Sequence, residues 1–511
     1  MIAKVIAFAF SFILPLLVVR YLVPEEVGHY RQTFLVITNA VAIMPLGFSM
    51  SAYYFLARET ERRASAVLNI LIFNFFAGGI ACALLWLYPQ MLGMVMKSDE
   101  LTALAPKIGL VIWIWIFSTF LEVIALANRE ARLATIFIVS ASLSKTLLMA
   151  MAVIAFGTVE AFLWAAMIQG IIQTAILLVY LRSRFPGYWR EFQSSFFREQ
   201  MVYAVPYGLA GVLWIAQTDI HNYFVSHKFS ASDFAVYAYG CFEVPLIAML
   251  TESVTSVLIP RMSSLQLTGD RQEMIRLTAR AMQKLAFFFF PAYAFLMITA
   301  PTFITTLFTD RYAASVPIFM INLTLLPAAM IINDPIVRAH PELGRRFLLV
   351  RIFVLTALVA TLYFALDSIP MTGMIGIAVA AILIEKLIAS SMVVKQLGVG
   401  RRHLSLFGPH AKTAVLSAVA GSITYLFYIN STGIAGIGVT IAGLISISKP
   451  ALVQLIAGGA VLTANGLVFT AVYLPGALLL GVIEKDERLA LRNFFARFTS
   501  RRLPAAAASQ G

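Results

Sequence analysis

The sequence predicts an all-α integral membrane protein with about fourteen transmembrane helices, on the basis of three observations. Hydrophobic residues make up 60% of the 511-residue chain and charged residues only 12%, against about 45–50% and about 25% in soluble proteins. Apolar runs of roughly 20 residues, the length that spans a bilayer, follow one another along almost the whole chain. Lysines and arginines between these runs alternate between many and few, as the positive-inside rule requires.

Windows of this length give the candidate spans in chain order. They lie at about 2–19, 33–57, 65–88, 107–127, 133–156, 159–181, 201–226, 234–259, 283–307, 313–337, 347–366, 372–394, 412–430 and 452–479. We expect the first run to be a retained helix, because no small-residue cleavage site precedes Arg20. The apolar stretch 433–447 is short and Gly-rich, which indicates an interfacial loop.

The distribution of lysines and arginines predicts that both termini are cytoplasmic. Of the 38 in the chain, 29 fall on one side of the predicted membrane and 7 on the other, while Lys145 and Lys386 lie inside spans. The excess marks the cytoplasmic side, so the net charge of +13 reflects membrane topology rather than nucleic-acid binding. Cys82 and Cys241 fall in or beside spans, where we expect buried thiols and neither a disulfide framework nor a zinc site.

Two short stretches share a pattern, "RYLVPEEVGHY" at 20–30 and "HKFSASDFAVY" at 227–237, which lie 207 positions apart. The matching pairs are Leu22 with Phe229, Glu26 with Asp233, Val27 with Phe234, Gly28 with Ala235 and Tyr30 with Tyr237. Pro24 fits the first turn of a helix, and Ser230 with Asp233 has the spacing of a capping box. Both stretches are predicted outer-face turns six spans apart, which indicates a parallel duplication of spans 1–6 and 7–12. A chance likeness between two hairpins is the alternative.

The duplication divides the chain into an N-terminal six-helix bundle (1–181), a linker (182–200) and a second six-helix bundle (201–396). Helices 13 and 14 follow at 397–484, and a basic cytoplasmic tail occupies 485–511. The linker "RSRFPGYWREFQSSFFREQ" interleaves aromatic residues with arginines. That pattern is typical of a helix lying in the headgroup interface, so we expect a cytoplasmic interfacial linker.

The first hairpin also carries a family resemblance. "VVRYLVPEEVGHY" (18–30) resembles the first-loop signature of the polysaccharide transporter family, the flippases for lipid-linked oligosaccharides, and residues 204–265 resemble its helices 7 and 8. The wider superfamily also contains multidrug exporters and the peptidoglycan-precursor flippase. The resemblance implies two six-helix bundles in a V around a central cavity that opens alternately to either face. Val23 and His29 depart from the family pattern.

We therefore expect a flippase for a polyprenyl-pyrophosphate-linked oligosaccharide in the bacterial inner membrane, serving O-antigen, capsule or exopolysaccharide synthesis. The sequence has no GxxxxGK[ST] motif for ATP, and we expect no enzyme activity, catalytic residue, cofactor or metal. Expected partners are membrane lipid, the lipid-linked oligosaccharide, and a polysaccharide polymerase or glycosyltransferases, but not nucleic acid. The alternatives are a multidrug or organic-cation antiporter of the same superfamily, a peptidoglycan lipid-precursor flippase, a membrane-bound enzyme, or a scaffold without transport.

Ionisable residues inside the hydrocarbon cost roughly 2.5–3.5 kcal/mol on insertion scales, so those predicted there are the candidate site residues. Lys145, near the middle of span 5, is expected to bind the phosphates of the cargo, or else to be a structural partner of Glu122. Arg31 at the outer face is expected to guide the head group along the substrate pathway, or else to anchor lipid headgroups. Glu252 is preferred over Glu243 as the carboxylate that faces the cavity.

Asp219 and His221 lie near the outer end of span 7 beside two side-chain amides. Acidic and imidazole groups at this depth are suited to a coupling proton or sodium ion. Hydrogen-bonded packing at the cavity rim is the alternative. Lys386, which follows Glu385, lies within snorkelling reach of the inner surface and is expected to be structural.

Overall fold

The computed structural model describes residues 2–59, 61–444 and 449–482, so the predicted basic tail at 485–511 lies outside the described residues. The chain forms two compact units that interleave along the sequence. Unit 1 comprises Met1–Pro245, Phe303–Leu325 and His340–Met392, and unit 2 comprises Leu246–Thr302, Leu326–Ala339 and Val393–Gly511. The predicted six-plus-six division of the spans stays a prediction.

The described residues form helices joined by short turns. In chain order these are α1 (Ile2–Tyr21), α2 (Pro24–Ile43), α3 (Ala52–Arg58), α4 (Arg63–Leu87), α5 (Pro89–Met96), α6 (Asp99–Ser118), α7 (Phe120–Ala127), α8 (Ala131–Ala155), α9 (Val159–Arg184), α10 (Ser194–Lys228), α11 (Ala231–Gly240), α12 (Pro245–Thr268), α13 (Arg271–Phe308), α14 (Val316–Leu323), α15 (Leu325–Ala328), α16 (Asp334–Ala339), α17 (Pro341–Ala365), α18 (Met371–Leu397), α19 (Gly408–Tyr428), α20 (Thr432–Leu444) and α21 (Pro450–Leu479). Short 3-10 turns occur at Ser49–Ser51, Tyr188–Arg190, Asp310–Ser315 and Arg401–Phe407.

Nine helical segments of the described chain are long and apolar enough to cross a membrane, or ten if one bent pair counts as a span. They are α4, α6 with α7, α8, α9, α10, α13, α17, α18 and α21, and each coincides with a predicted span. The bent pair consists of Arg401–Tyr428 and Gly433–Leu444, which meet at 68°. The all-α membrane architecture is thus present, and the predicted number of spans is not confirmed.

Three predicted spans outside these nine segments are divided into shorter helices. They are 33–57 (α2 and α3), 234–259 (α11 and α12) and 313–337 (α14 to α16). In the first, the chain turns at Leu46 and Gly47, which have φ angles of 45° and 70°. This turn lies against Gly208 of α10, where a Cβ atom would overlap the Leu46 carbonyl. The break is therefore set by local backbone geometry and close packing, neither of which alters the hydropathy of the segment.

Residues 432–444 form the helix α20, so the predicted interfacial loop at 433–447 was wrong over its described part. Gly433, Gly436, Gly438 and Gly443 lower helix propensity in water. In a membrane, however, glycines are tolerated within helices and allow close helix approach. Gly438 illustrates this, because a Cβ there would crowd the backbone of Ala457 in α21.

The linker is not one continuous helix, and its predicted location in the headgroup interface stays a prediction. Helix α9 ends at Arg184, and the chain then turns through Gly187 with φ of 76° before α10 begins at Ser194. Phe185 and Phe196 are buried in an apolar core with residues of α3, α4 and α7. The aromatic residues of the linker therefore tie its two ends to unit 1, and only Trp189 and Phe192 are exposed.

The two similar stretches begin helices at equivalent positions, since α2 starts at Pro24 and α11 at Ala231, 207 residues apart. The predicted cap is confirmed: the Ser230 hydroxyl oxygen accepts a hydrogen bond from the Asp233 backbone N–H at 3.1 Å. The two helices pack closely, because a Cβ on Gly28 would overlap the carbonyl of Ala231. This packing places the starts of both helices side by side in unit 1.

Candidate functional site

Lys145 projects from α8 into unit 1 and is partly buried. Its ammonium nitrogen lies 4.2 Å from the centroid of the Trp115 ring, and it is also attracted by the carboxylate of Glu122. A cation over an aromatic face gains about 2 kcal/mol or more when desolvated, which offsets part of the cost of a charge at this depth. The Glu122 partnership predicted as an alternative is thus compatible with a binding role.

The orientation of Trp115 is fixed by its neighbours. Its ring is buried, and the indole N–H donates to the carbonyl of Ala166 at 3.0 Å. Gly170 of α9 lies against the ring, where a Cβ would crowd it. Trp115 was not among the predicted site residues, although it lies two helical turns before Glu122 and so on the same face. That spacing is the sequence signal that could have found it.

Arg31 lies in α2, and its Nη2 donates to the carbonyl of Ala238 at 3.3 Å. The guanidinium lies over the Tyr239 ring, 4.6 Å from its centroid. Residues 31 and 238 are 207 positions apart, so Arg31 contacts its own equivalent in the proposed duplication. Such a contact is expected only close to a two-fold axis. These contacts place Arg31 at the packed junction of α2 and α11.

Asp219 and His221 lie on α10 within a polar cluster of unit 1. Asp219 accepts hydrogen bonds from the amides of Asn39 and Asn222, the latter at 3.4 Å. The buried imidazole of His221 forms a 2.7 Å hydrogen bond through Nδ1 with the Tyr237 hydroxyl. The two predicted coupling residues therefore have separate hydrogen-bond partners.

The two glutamates considered for the cavity lie in different units. Glu252 is an exposed residue of α12 in unit 2. Glu243 belongs to unit 1, where its charge interacts with that of Asp219. The described residues contain no group of three or more His, Cys, Asp or Glu that could hold a metal ion. Asp219 and Glu243 thus interact electrostatically within unit 1, and the preference for Glu252 as the cavity carboxylate stays a prediction.

Arg351 lies ten residues inside α17 and was not among the predicted site residues. Its Nη2 and Nε donate to Oε1 of Glu385 in α18, at 2.9 and 3.3 Å. Lys386, next along α18, also interacts with the Glu385 charge. The window boundary at 347 already placed Arg351 inside a span, and this was the available sequence signal.

Unit 2 contains an apolar groove of about 390 Å³ between α13 and α21. Its lining includes Phe287, Phe295, Phe469 and Tyr473. The Tyr473 hydroxyl donates to the carbonyl of Phe287 at 2.9 Å, so the single hydroxyl among these four side chains is occupied. The groove therefore presents aromatic surface.

Comparison with known proteins gives a family and a fold. A family model described as polysaccharide biosynthesis protein matches residues 17–317, and a search of curated proteins found no match. The chain is similar to lipid II flippase MurJ in an inward closed conformation, with TM-score 0.64, 14% identity, and coverage of 92% of this chain and 98% of that one. It is also similar to an inward-facing multidrug resistance MATE transporter of the MOP superfamily, with TM-score 0.60, 18% identity, and coverage of 77% of this chain and 94% of that one. For a MOP superfamily transporter from Pyrococcus furiosus, the TM-score is 0.57, the identity 18%, and the coverage 78% of this chain and 94% of that one. The protein thus has the fold of MOP-superfamily transporters and is a multi-pass membrane protein.

Proposed function

Because the chain belongs to the polysaccharide biosynthesis protein family, we propose that it is a flippase for a polyprenyl-pyrophosphate-linked oligosaccharide. It moves this lipid from the cytoplasmic to the periplasmic leaflet of a bacterial inner membrane, by alternating access, for O-antigen, capsule or exopolysaccharide synthesis. Both termini lie in the cytoplasm in this proposal. The fold shared with named transporters and a flippase supports the mechanism.

The observation that carries the proposal is Lys145 on the face of Trp115. A pyrophosphate needs cations along its path, and a charge inside hydrocarbon is costly enough to need a functional reason. A lysine that rests on an aromatic face keeps its donors available, because the cation–π contact is non-directional compared with a salt bridge. In this proposal Lys145 binds the phosphates, and Arg31 at the junction of α2 and α11 guides the head group outward.

The cargo explains how transport proceeds without an ATP motif. The polar head cannot cross about 30 Å of hydrocarbon unaided, but it can pass through a hydrated path while the polyprenyl tail stays in lipid. An inside-negative potential favours outward movement of an anion by about 2.3 kcal/mol per charge per 100 mV. The aromatic groove of unit 2 offers an apolar surface for part of the tail.

A coupling ion would bind at Asp219 in this proposal. Its neighbour Glu243 shares the cluster, and two nearby carboxylates are suited to holding a proton or a sodium ion. His221, already bonded to Tyr237, would hold α10 against α11 and so position Asp219. Glu252 in α12 stays a candidate for the pathway, and its test is the same transport assay with Glu252→Gln.

The proposal is tested by deleting the gene in the native host and assigning lipid-linked intermediates to the inner or outer leaflet with a membrane-impermeant sugar oxidant. We expect accumulation on the cytoplasmic leaflet and loss of surface polysaccharide. An unchanged leaflet distribution together with hypersensitivity to cationic drugs would refute the flippase and favour an organic-cation antiporter, whose cavity needs acidic rather than basic groups.

Lys145→Met then tests the cation in the same host. A hydrogen bond to a charged group contributes about 1.5–3 kcal/mol, so the rate of flipping should fall about tenfold to a hundredfold. Lys145→Arg should retain most of the rate, because the charge is kept. The matched control is Lys395→Met, an exposed lysine in the last turn of α18, which should rescue like the natural chain. Equal rescue by Lys145→Met and Lys395→Met would exclude a role for Lys145 in binding.

A further inference from the structure

Three helices of unit 1 bring a charged and aromatic cluster together. The guanidinium of Arg351 in α17 lies over two rings, 5.0 Å from the centroid of Trp214 in α10 and 4.8 Å from that of Phe347. Its partner Glu385 in α18 is 4% exposed. The Arg351 side chain is 15% exposed, and the Trp214 residue is 43% exposed. A buried ion pair is therefore covered on one side by a ring that is itself accessible.

The cluster lies deep within its helices. Arg351 is ten residues from the start of α17 and Glu385 is twelve from the end of α18, or about 15 and 18 Å along the helix axes. Both distances approach the midpoint of a hydrocarbon core about 30 Å thick. A charge pair at this depth is costly, and replacing a buried pair with apolar residues is often neutral or stabilising. Packing alone therefore gives no reason to keep it.

The pair is also incompletely satisfied. Both guanidinium contacts go to Oε1 of Glu385, so the two-oxygen fork typical of strong arginine–carboxylate pairs is not formed. Oε2 of Glu385 is buried and accepts no hydrogen bond within the described part of the chain. With Lys386 beside them, the three charged groups have a net charge of +1. The single-oxygen contact leaves Arg351 without the two-oxygen partner that a phosphate or pyrophosphate offers.

A second unpartnered group lies one turn along α10. Gln217 is fully buried, and neither its amide oxygen nor its amide nitrogen has a hydrogen-bond partner among the described residues. Residues three apart on a helix are neighbours on its surface, so Gln217 lies next to Trp214. A buried amide without partners costs about 1–3 kcal/mol, and a ligand that supplied them would recover this. Tryptophan, arginine and amide together are suited to a sugar phosphate.

We propose that Arg351, Trp214 and Gln217 form a subsite for the pyrophosphate and first sugar of the cargo, with Glu385 as the internal occupant that the pyrophosphate displaces. This subsite rests on the proposed function, because the proposed cargo carries a pyrophosphate and a sugar. The pyrophosphate offers Arg351 the two-oxygen partner that Glu385 does not, and the accessible ring of Trp214 stacks on the sugar. Lys386 then balances the displaced Glu385 carboxylate.

The test is calorimetric binding of farnesyl pyrophosphate to the purified full-length protein in nanodiscs, with farnesol as the neutral control. We expect binding of the pyrophosphate but not of farnesol. Glu385→Gln removes the competing charge and should tighten binding about tenfold, while Arg351→Met should weaken it at least tenfold. Trp214→Ala should abolish quenching of tryptophan fluorescence by a glycosylated farnesyl pyrophosphate. Unchanged affinity in both charge variants would overturn the subsite.

A merely structural ion pair predicts a different pattern. Both single variants would then lower the melting temperature and weaken binding together, and the exchange Arg351→Glu with Glu385→Arg would restore both properties. The subsite instead predicts that Glu385→Gln binds tighter and that the exchanged pair does not recover binding, because the cation no longer lies over Trp214. Recovery of binding in the exchanged pair would therefore refute the proposal even where Arg351→Met alone fails to fold.

Failure of the subsite and failure of the proposed function are distinguishable. Flipping of the native lipid in cells together with farnesyl pyrophosphate binding that is indifferent to Arg351 refutes the subsite alone. An unchanged leaflet distribution after gene deletion refutes the flippase itself, whatever the calorimetry gives.

Discussion

The closest approach between α2 and α11 predicts that Gly28→Ala destabilises the protein. A Cβ at residue 28 would overlap the carbonyl oxygen and carbon of Ala231 and approach its Cα. All three are backbone atoms at the start of α11, which the Ser230 cap holds in place. They cannot rotate aside as a side chain would, so the two helices must separate.

Two opposing effects set the size of the change. Alanine is favoured over glycine in a helix interior by roughly 0.8–1.0 kcal/mol, which would stabilise the variant. Overpacking a close contact typically costs about 1–3 kcal/mol, and overlap with backbone atoms belongs at the upper end of that range. The net expectation is a loss of about 2 kcal/mol in the free energy of unfolding, so the packing effect prevails.

The assay is thermal denaturation of the purified full-length protein in detergent, with Gly376→Ala as the matched control. Gly376 is an interior residue of α18 with nothing within 4 Å of a Cβ built on it. The control therefore gains helix propensity without a clash. We expect Gly28→Ala to melt several degrees below the natural chain and Gly376→Ala at or above it. Equal melting of the two variants would refute the close packing of α2 on α11.

Two further changes follow from the helix ends. Ser230→Ala should lower the free energy of unfolding by about 1 kcal/mol, because the α11 cap is lost. Val23→Ser, at an N-cap without a side-chain hydrogen bond, should raise it by up to about the same amount. Urea titration followed by helicity measures both changes, and a change of the same sign in both variants would contradict the capping argument. Arg20→Met should lower the free energy of unfolding by about 1–3 kcal/mol, because Nη1 and Nη2 of Arg20 donate to the carbonyls of Leu307 and Thr306 at 2.9 and 2.8 Å. These carbonyls lie at the end of α13, so we expect faster proteolysis near residue 308. Unchanged cleavage would contradict this role of Arg20.

The sequence predicts which segments are apolar, but it does not predict where an apolar segment bends. Each of the nine span-length segments coincides with a predicted span because hydropathy alone identifies a long uninterrupted run. The break after α2 depends instead on positive φ angles at Leu46 and Gly47 and on the absence of a Cβ at Gly208. A window average is insensitive to a two-residue turn, so continuous helices were predicted there.

For the site, the sequence identifies which charges are costly and the structure identifies how each is compensated. Lys145 is predictable from hydropathy, but its contact with Trp115 arises from packing between helices thirty residues apart. Buried polar atoms without a hydrogen-bond partner are then candidates for ligand contacts, since buried polar atoms are almost always paired. In unit 1 these atoms include Nε of Arg31, Oε2 of Glu385 and the amide of Gln217. In a transporter whose cargo carries phosphates and sugar hydroxyls, such atoms are where the cargo's own hydrogen-bonding groups are expected.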